Sequence, residues 1–349
     1  MKRAYWIDYT RVIAALCVIL CHCTESIYNM NIEILMGYST LSRLFCLFSF
    51  TIGRLGVPLF LMISGYLLLD REYSAEKTKQ FYRRNLLKLL CITELWILIS
   101  YLVWCVRNNI PMKILDLVKQ LLFFDSFKMN HLWYMPMILE CYMLIPFISN
   151  ALAKTSDSVL LVVVTLSSFI LFGVPTFVSI TNVVNISVHS QYNQGLFSIY
   201  WLYLVLGYVV KKKELVLSRR FAFVLAVLSL LIIVFIQMWA YNKEIKFSLW
   251  YNNFFLLLSS FFLFLSFSKN NIPENNVIVR LSNTSFGVYL IHNYVLNIFR
   301  PYIIRMNIML PAKTSLLCLL VIITSYIIAI FLSFSNVGSA LIICKKCDE

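Results

Sequence analysis

Several ionisable side chains fall inside long apolar stretches of this sequence, among them Asp8, Arg11, His22, Glu94, Glu140 and His292. An ionisable group in hydrocarbon is costly unless it is paired or hydrated, so each marks chemistry or a specific buried interaction. The first stretch holds three of them. Arg11 and His22 are eleven residues apart. On a helix that spacing leaves a residual rotation of about 20° and a rise of about 16 Å, so the two share one face. Asp8 lies one turn before Arg11 and is placed to pair with it. A neutral imidazole in the position of His22 takes a proton from a hydroxyl. The same residues also suit an ion pair that fixes packing and a hydrogen-bonded core histidine, and spacing does not separate these readings. Cys21 and Cys23 face elsewhere by helical phase, so neither is expected as a nucleophile beside His22.

The second stretch carries Gly53-Arg54-Leu55-Gly56-Val57-Pro58-Leu59-Phe60 and then Ser64-Gly65-Tyr66-Leu67-Leu68. Gly65 permits close helix approach, and Ser64 suits a bond to backbone or ligand. His131, Trp133 and Tyr134 sit at the edge of another apolar run. They read either as an interfacial aromatic belt or as a stacking surface for a sugar or lipid carrier. His292 reads as a hydrogen-bonder in helix packing. Segment 71–88 carries Arg71, Lys77, Lys79, Arg83, Arg84 and Lys88. It reads as a basic loop suited to phosphates or as ordinary topological charge.

The elements that position these residues follow from composition. Apolar residues make up 60% of 349, charged residues only 13%, and mean hydropathy is +0.80. A soluble chain this apolar could not cover its own surface, and disorder, collagen and coiled coil are excluded too. Apolar runs near 5–23, 47–69, 87–106, 132–150, 159–178, 196–211, 221–240, 250–268, 284–300 and 314–335 predict an all-α polytopic membrane bundle of about ten spans. Residues 1–349 are expected to form a single membrane domain. The first run is not a cleaved leader, since Asp8 and Arg11 interrupt it.

The net charge of +14 does not predict a nucleic-acid partner, because Lys and Arg sit in short loops between apolar runs. With the N-terminus inside, inner segments and their edges hold 18 of them and outer segments and their edges 10, with Arg11 and Arg54 inside spans. That bias places both termini in the cytoplasm. The Lys211–Lys213 and Arg219–Arg220 cluster reads as topology or contact with membrane lipid. The cysteines lie mostly in apolar runs as small hydrophobes. Cys344-x-x-Cys347 lacks a second pair or a nearby histidine, so no metal is expected.

These elements accumulate into a resemblance. Tyr5-Trp6-Ile7-Asp8 followed by Arg11 and His22 resembles the first helix of the integral-membrane acyltransferase family 3. Gly-Val-Pro-Leu-Phe leading into Ser64-Gly65-Tyr66-Leu67-Leu68 resembles its second helix. His131-Leu132-Trp133-Tyr134, with Tyr142 and Pro146, resembles its fourth. Ser285-Phe286-Gly287-Val288-Tyr289-Leu290-Ile291-His292 resembles its late Tyr-Leu-x-His element. The resemblance covers essentially the whole chain, and the short form is similar to the enterobacterial common antigen O-acetyltransferase subgroup.

The resemblance implies a ten-helix enzyme of the bacterial cytoplasmic membrane. It would move an acetyl group from cytoplasmic acetyl-CoA to a hydroxyl of a surface glycan or its lipid-linked precursor. His22 and Arg11 would be the catalytic pair, with Asp8 beside Arg11, and the Ser64–Leu68 stretch, with Ser64 and Gly65 toward the cofactor, would line the pore. Arg54, His131, Trp133 and Tyr134 would face the acceptor. The family's two arginines entering the third helix fall on Asn85 and Lys88 here, with Arg83 and Arg84 just before as substitutes. On physics alone, a proton-coupled transporter or flippase of an envelope precursor also fits a bundle with buried Asp, Arg and His, as does a non-catalytic sensor or assembly factor.

Overall fold

The computed structural model describes residues 3–183, 199–212, 215, 217–245, 247, 249–268, 272–336 and 338–339. His189, Lys213 and the Cys344/Cys347 pair lie outside them. All regular structure among the described residues is helical. Seven stretches are long and apolar enough to cross a membrane: Tyr5–Tyr28, Thr40–Leu68, Ala75–Arg107, Asn130–Lys154, Asp157–Thr181, Arg219–Asn242 and Leu310–Ser333.

Each of the ten predicted runs contains helix among its described residues, but three of these helices do not meet that standard. Helix α11, Tyr200–Lys212, has 13 described residues. Helix α13, Phe254–Ser268, has 15. Helix α14, Asn276–Arg305, has 30 residues but is polar, with Ser282, Asn283, Thr284, Ser285, His292 and Asn293 along it. Side chains such as Leu161, Phe235 and Phe331 are more than half exposed on the outside of the bundle. Lipid is the solvent that accommodates such a surface.

Helix α1, Tyr5–Tyr28, is the spine. It packs against α3 (Thr40–Gly53), α4 (Gly56–Leu68), α14 and α15 (Leu310–Ser333). It ends where Asn29 takes the left-handed conformation at φ 57°, a conformation that asparagine tolerates better than most residues. This is five residues beyond the apolar run that ended at 23. The extension carries Glu25 onto the helix, one turn after His22.

The next predicted span is broken. Helix α3 stops at Gly53 and α4 starts at Gly56, leaving Arg54 and Leu55 at the joint. A Cβ on Gly53 would lie 2.6 Å from the Cys21 backbone nitrogen, and one on Gly56 2.7 Å from the Ala14 carbonyl. Two glycines thus let the joint rest directly on α1. Gly65 does the same against α11, where an added Cβ would collide with the Leu204 carbonyl. Gly207 reciprocates against Met62. Small residues of this kind govern how closely helices approach in membranes.

Segment 71–88 corrects an expectation. Most of it is helix: α5 (Ala75–Phe81) runs through one π-helical turn, Tyr82–Leu86, into α6 (Leu87–Asn108). The later helices before α11 are α7 (Ile114–Leu121), α8 (Tyr134–Lys154), α9 (Asp157–Ser168) and α10 (Val174–Val183), with α12 (Arg219–Asn242) following it.

The α4–α11 crossing yields a stability prediction. Gly65→Leu must separate the two backbones and should cost about 3 kcal/mol. Thermal unfolding of the nanodisc-embedded protein checks this; an unchanged melting temperature contradicts the packing described.

Candidate active site

The site forms where the last turns of α1 meet the α3–α4 joint. A 3-10 turn at Asn130–Trp133 leads into α8 beside it, and the face of α14 that carries Tyr289, His292 and Asn293 closes it. His22, Arg54, His131, Trp133, Tyr134, Tyr251 and Tyr289 line one pocket there. The sequence had separated these residues by up to 267 positions.

Helical periodicity places Glu25 one turn after His22. His22 Nδ1 lies 3.0 Å from Glu25 Oε2. A carboxylate only accepts here, so His22 Nδ1 is the donor, and in the neutral ring the lone pair lies on Nε2. The other carboxylate oxygen accepts from Arg54 Nη2 at 3.2 Å. Arg54 also donates to the Tyr251 hydroxyl at 3.3 Å. Its guanidinium lies 4.6 Å from the Phe50 ring centroid and 4.9 Å from that of Trp250. The Arg54 side chain is only 10% exposed, so a charge partner and aromatic faces together replace the water it has lost.

Two more histidines adjoin His22. The His292 ring stacks on it at 5.3 Å between centroids. His131 meets His292 edge-on at 5.1 Å. His292 donates from Nδ1 to the Tyr289 carbonyl at 2.6 Å. Tyr289 in turn donates its hydroxyl to the His131 carbonyl at 2.5 Å. Trp133 stands against Tyr200, Trp250 and Tyr251 with centroids 5.6–5.9 Å apart. An aromatic wall therefore backs the guanidinium. Among the described residues no group of His, Cys, Asp or Glu is arranged to hold a metal ion.

The other predicted site residues lie elsewhere. Asp8 is buried near the start of α1, but its close partner is Arg3, at 2.7 and 2.8 Å. Arg11 comes only to 3.9 Å. Asp8 also accepts from Ser282 at 2.7 Å, so it ties α1 to α14. The hydrogen bond to Asp8 raises the pKa of Arg3, outside the span, above its ordinary value. Ser64 donates to the Phe60 carbonyl at 3.0 Å, and Gly65 is committed to α11. Neither lines the pocket, nor do Glu94 and Glu140. Arg83 and Arg84 are exposed on the π-helical turn, with Lys88 half-buried one turn on. Lys211 and Lys212 approach Asp70 at 3.3 and 3.5 Å.

Two readings change. Cys21, expected to face elsewhere, lines the pocket, because the α3–α4 joint wraps beyond the face that His22 occupies. Glu25 was missed because the apolar run stops before it, although its i+3 spacing from His22 was the available signal. Tyr251 and Asn293 carried no signal of their own.

One family profile, described as an acyltransferase domain, matches residues 4–330. No curated protein and no solved structure matches the chain.

The shared carboxylate predicts energetic coupling. Glu25→Ala leaves the Arg54 charge buried without its partner and should cost about 3 kcal/mol. Adding Arg54→Met should recover about 1–2 kcal/mol relative to additivity. Thermal unfolding of the four proteins in nanodiscs measures this, and additive losses contradict the bridge.

Proposed function

This chain belongs to acyltransferase family 3, and from that premise we propose that it is a membrane O-acetyltransferase with His22 as its general base. The single observation that carries the role of His22 is its Nδ1 contact with Glu25 at 3.0 Å, which leaves Nε2 able to take a proton. Glu25 fixes the ring and stabilises the imidazolium that forms. Arg54 fixes Glu25.

His22 Nε2 removes the proton from an acceptor hydroxyl as that oxygen attacks the acyl carbonyl. The new C–O bond forms and the C–S bond of the thioester breaks. The proton held on His22 then passes to the departing thiolate. The acyl donor is acetyl-CoA, whose phosphates suit the exposed pair Arg83 and Arg84, with Lys88 beyond them. Tyr82, Arg83 and Lys79 border a shallow groove at that end of α6. Arg11 shares the His22 face about three turns away, where it suits a donor reaching from the Asp8 end. Asp8 acts there as an anchor between helices.

The acceptor is a cell-surface polysaccharide or its lipid-linked precursor. Trp133, Tyr134 and Tyr251 supply ring faces of the kind that sugars stack on. The finer reading is a short-form enzyme similar to that of enterobacterial common antigen. It sits in the bacterial inner membrane with both termini cytoplasmic.

The test is mass spectrometry of envelope glycans from cells with wild type, His22→Ala, Glu25→Gln or empty vector, at matched membrane levels. Wild type should add an acetyl mark, His22→Ala should abolish it, and Glu25→Gln should slow its appearance by about 10²-fold or more. A mark that survives in His22→Ala contradicts the assigned base. An uptake activity that needs no acetyl-CoA contradicts the transferase.

A further inference from the structure

His22 and His131 line the same pocket, but their hydrogen bonds set opposite tautomers. Asn293 Nδ2 lies 3.0 Å from His131 Nδ1. An amide nitrogen is only a donor, so His131 Nδ1 accepts and the ring proton sits on Nε2. His131 is 1% exposed, and its Nε2 has no partner at hydrogen-bonding geometry, although the Leu290 backbone lies near the ring. Leaving a buried N–H unpaired is destabilising. The residue is nevertheless held twice, its ring by Asn293 at Nδ1 and its backbone by Tyr289 at the carbonyl. Arg54 Nε is a second buried and unpartnered donor in the same pocket. The His292 ring contacts both imidazoles, at 5.3 and 5.1 Å, and holds them as neighbours without bridging them.

We infer that His131 is a catalytic residue whose Nε2–H, together with Arg54 Nε–H, binds the oxyanion of the tetrahedral intermediate, and that Asn293 is the positioning residue that sets its tautomer. This rests on the acyl-transfer reading above. Attack by the acceptor oxygen turns the thioester carbonyl oxygen into an oxyanion. Both donors then gain the partner they lack in the free protein, and collapse of the intermediate expels thiolate and restores the carbonyl. An N–H that is unsatisfied before reaction and satisfied at the transition state stabilises the latter selectively. The two imidazoles therefore divide the work: His22 accepts a proton and His131 only donates a hydrogen bond. His292 Nε2 is also unpartnered, but its Nδ1 is the donor, so Nε2 offers a lone pair and cannot serve an oxyanion.

Purified full-length protein in nanodiscs, with acetyl-CoA alone and thiol release as the readout, tests this with water as acceptor. His131→Met removes the donor and should lower kcat about 10²–10³-fold with KM within about threefold. His131→Gln restores an N–H at similar reach and should recover at least tenfold of that loss. Asn293→Leu, which leaves the imidazole in place but frees its tautomer, should lower kcat with KM and melting temperature held. It also decides the question if His131→Met fails to accumulate. Wild-type kcat in Asn293→Leu or His131→Met, or His131→Gln as slow as His131→Met, overturns the inference. A wild type that releases no thiol overturns the acyl-transfer reading and this inference together.

Discussion

One carboxylate, Glu25, is shared between an imidazole and a guanidinium, and the site depends on it. It fixes the His22 tautomer through one oxygen and holds the Arg54 charge with the other. Neither partner is cheap to bury alone. The guanidinium requires a counter-charge in low dielectric, and a histidine without an orienting acceptor has no fixed lone pair to offer. The three groups are therefore one unit with a base at its open end.

The surrounding architecture is what brings that unit together. Arg54 reaches Glu25 only because the span containing it breaks at the joint, and the joint reaches α1 only because Gly53 and Gly56 have no side chain. Asp8 secures the other end of α1 to α14 through Ser282. That contact fixes the register of α14, whose Tyr289, His292 and Asn293 reach the pocket about two to three turns later. The polar character that keeps α14 from reading as an ordinary span is thus the reason it supplies so much of the site.

Much of this was legible in the residues. Apolar runs marked the helices because the lipid core demands them, and Arg11, His22 and His292 stood out because charge is expensive there. Arg54, His131, Trp133 and Tyr134 do meet in one pocket. What was not legible depends on tertiary contact or on exact helix ends. Glu25 lies past the apolar run but still within α1. Asn293 and Tyr251 are ordinary residue types whose importance comes from what the fold places beside them. Spacing on one helix pairs Asp8 with Arg11, and the structure keeps that ion pair at 3.9 Å but adds closer bonds from Arg3 and Ser282, which spacing along the helix does not reveal. Gly65 belongs to the α4–α11 crossing, a role that small residues in spans commonly hold.

The central claim is that two neighbouring imidazoles are held in opposite tautomers by Glu25 and Asn293. Nitrogen NMR of the full-length protein in nanodiscs, labelled with ¹⁵N-histidine and assigned by single-histidine substitution, reads this directly. The account predicts neutral His22 protonated at Nδ1 and neutral His131 protonated at Nε2. The same tautomer at both positions, or rapid exchange between tautomers at either, would contradict it.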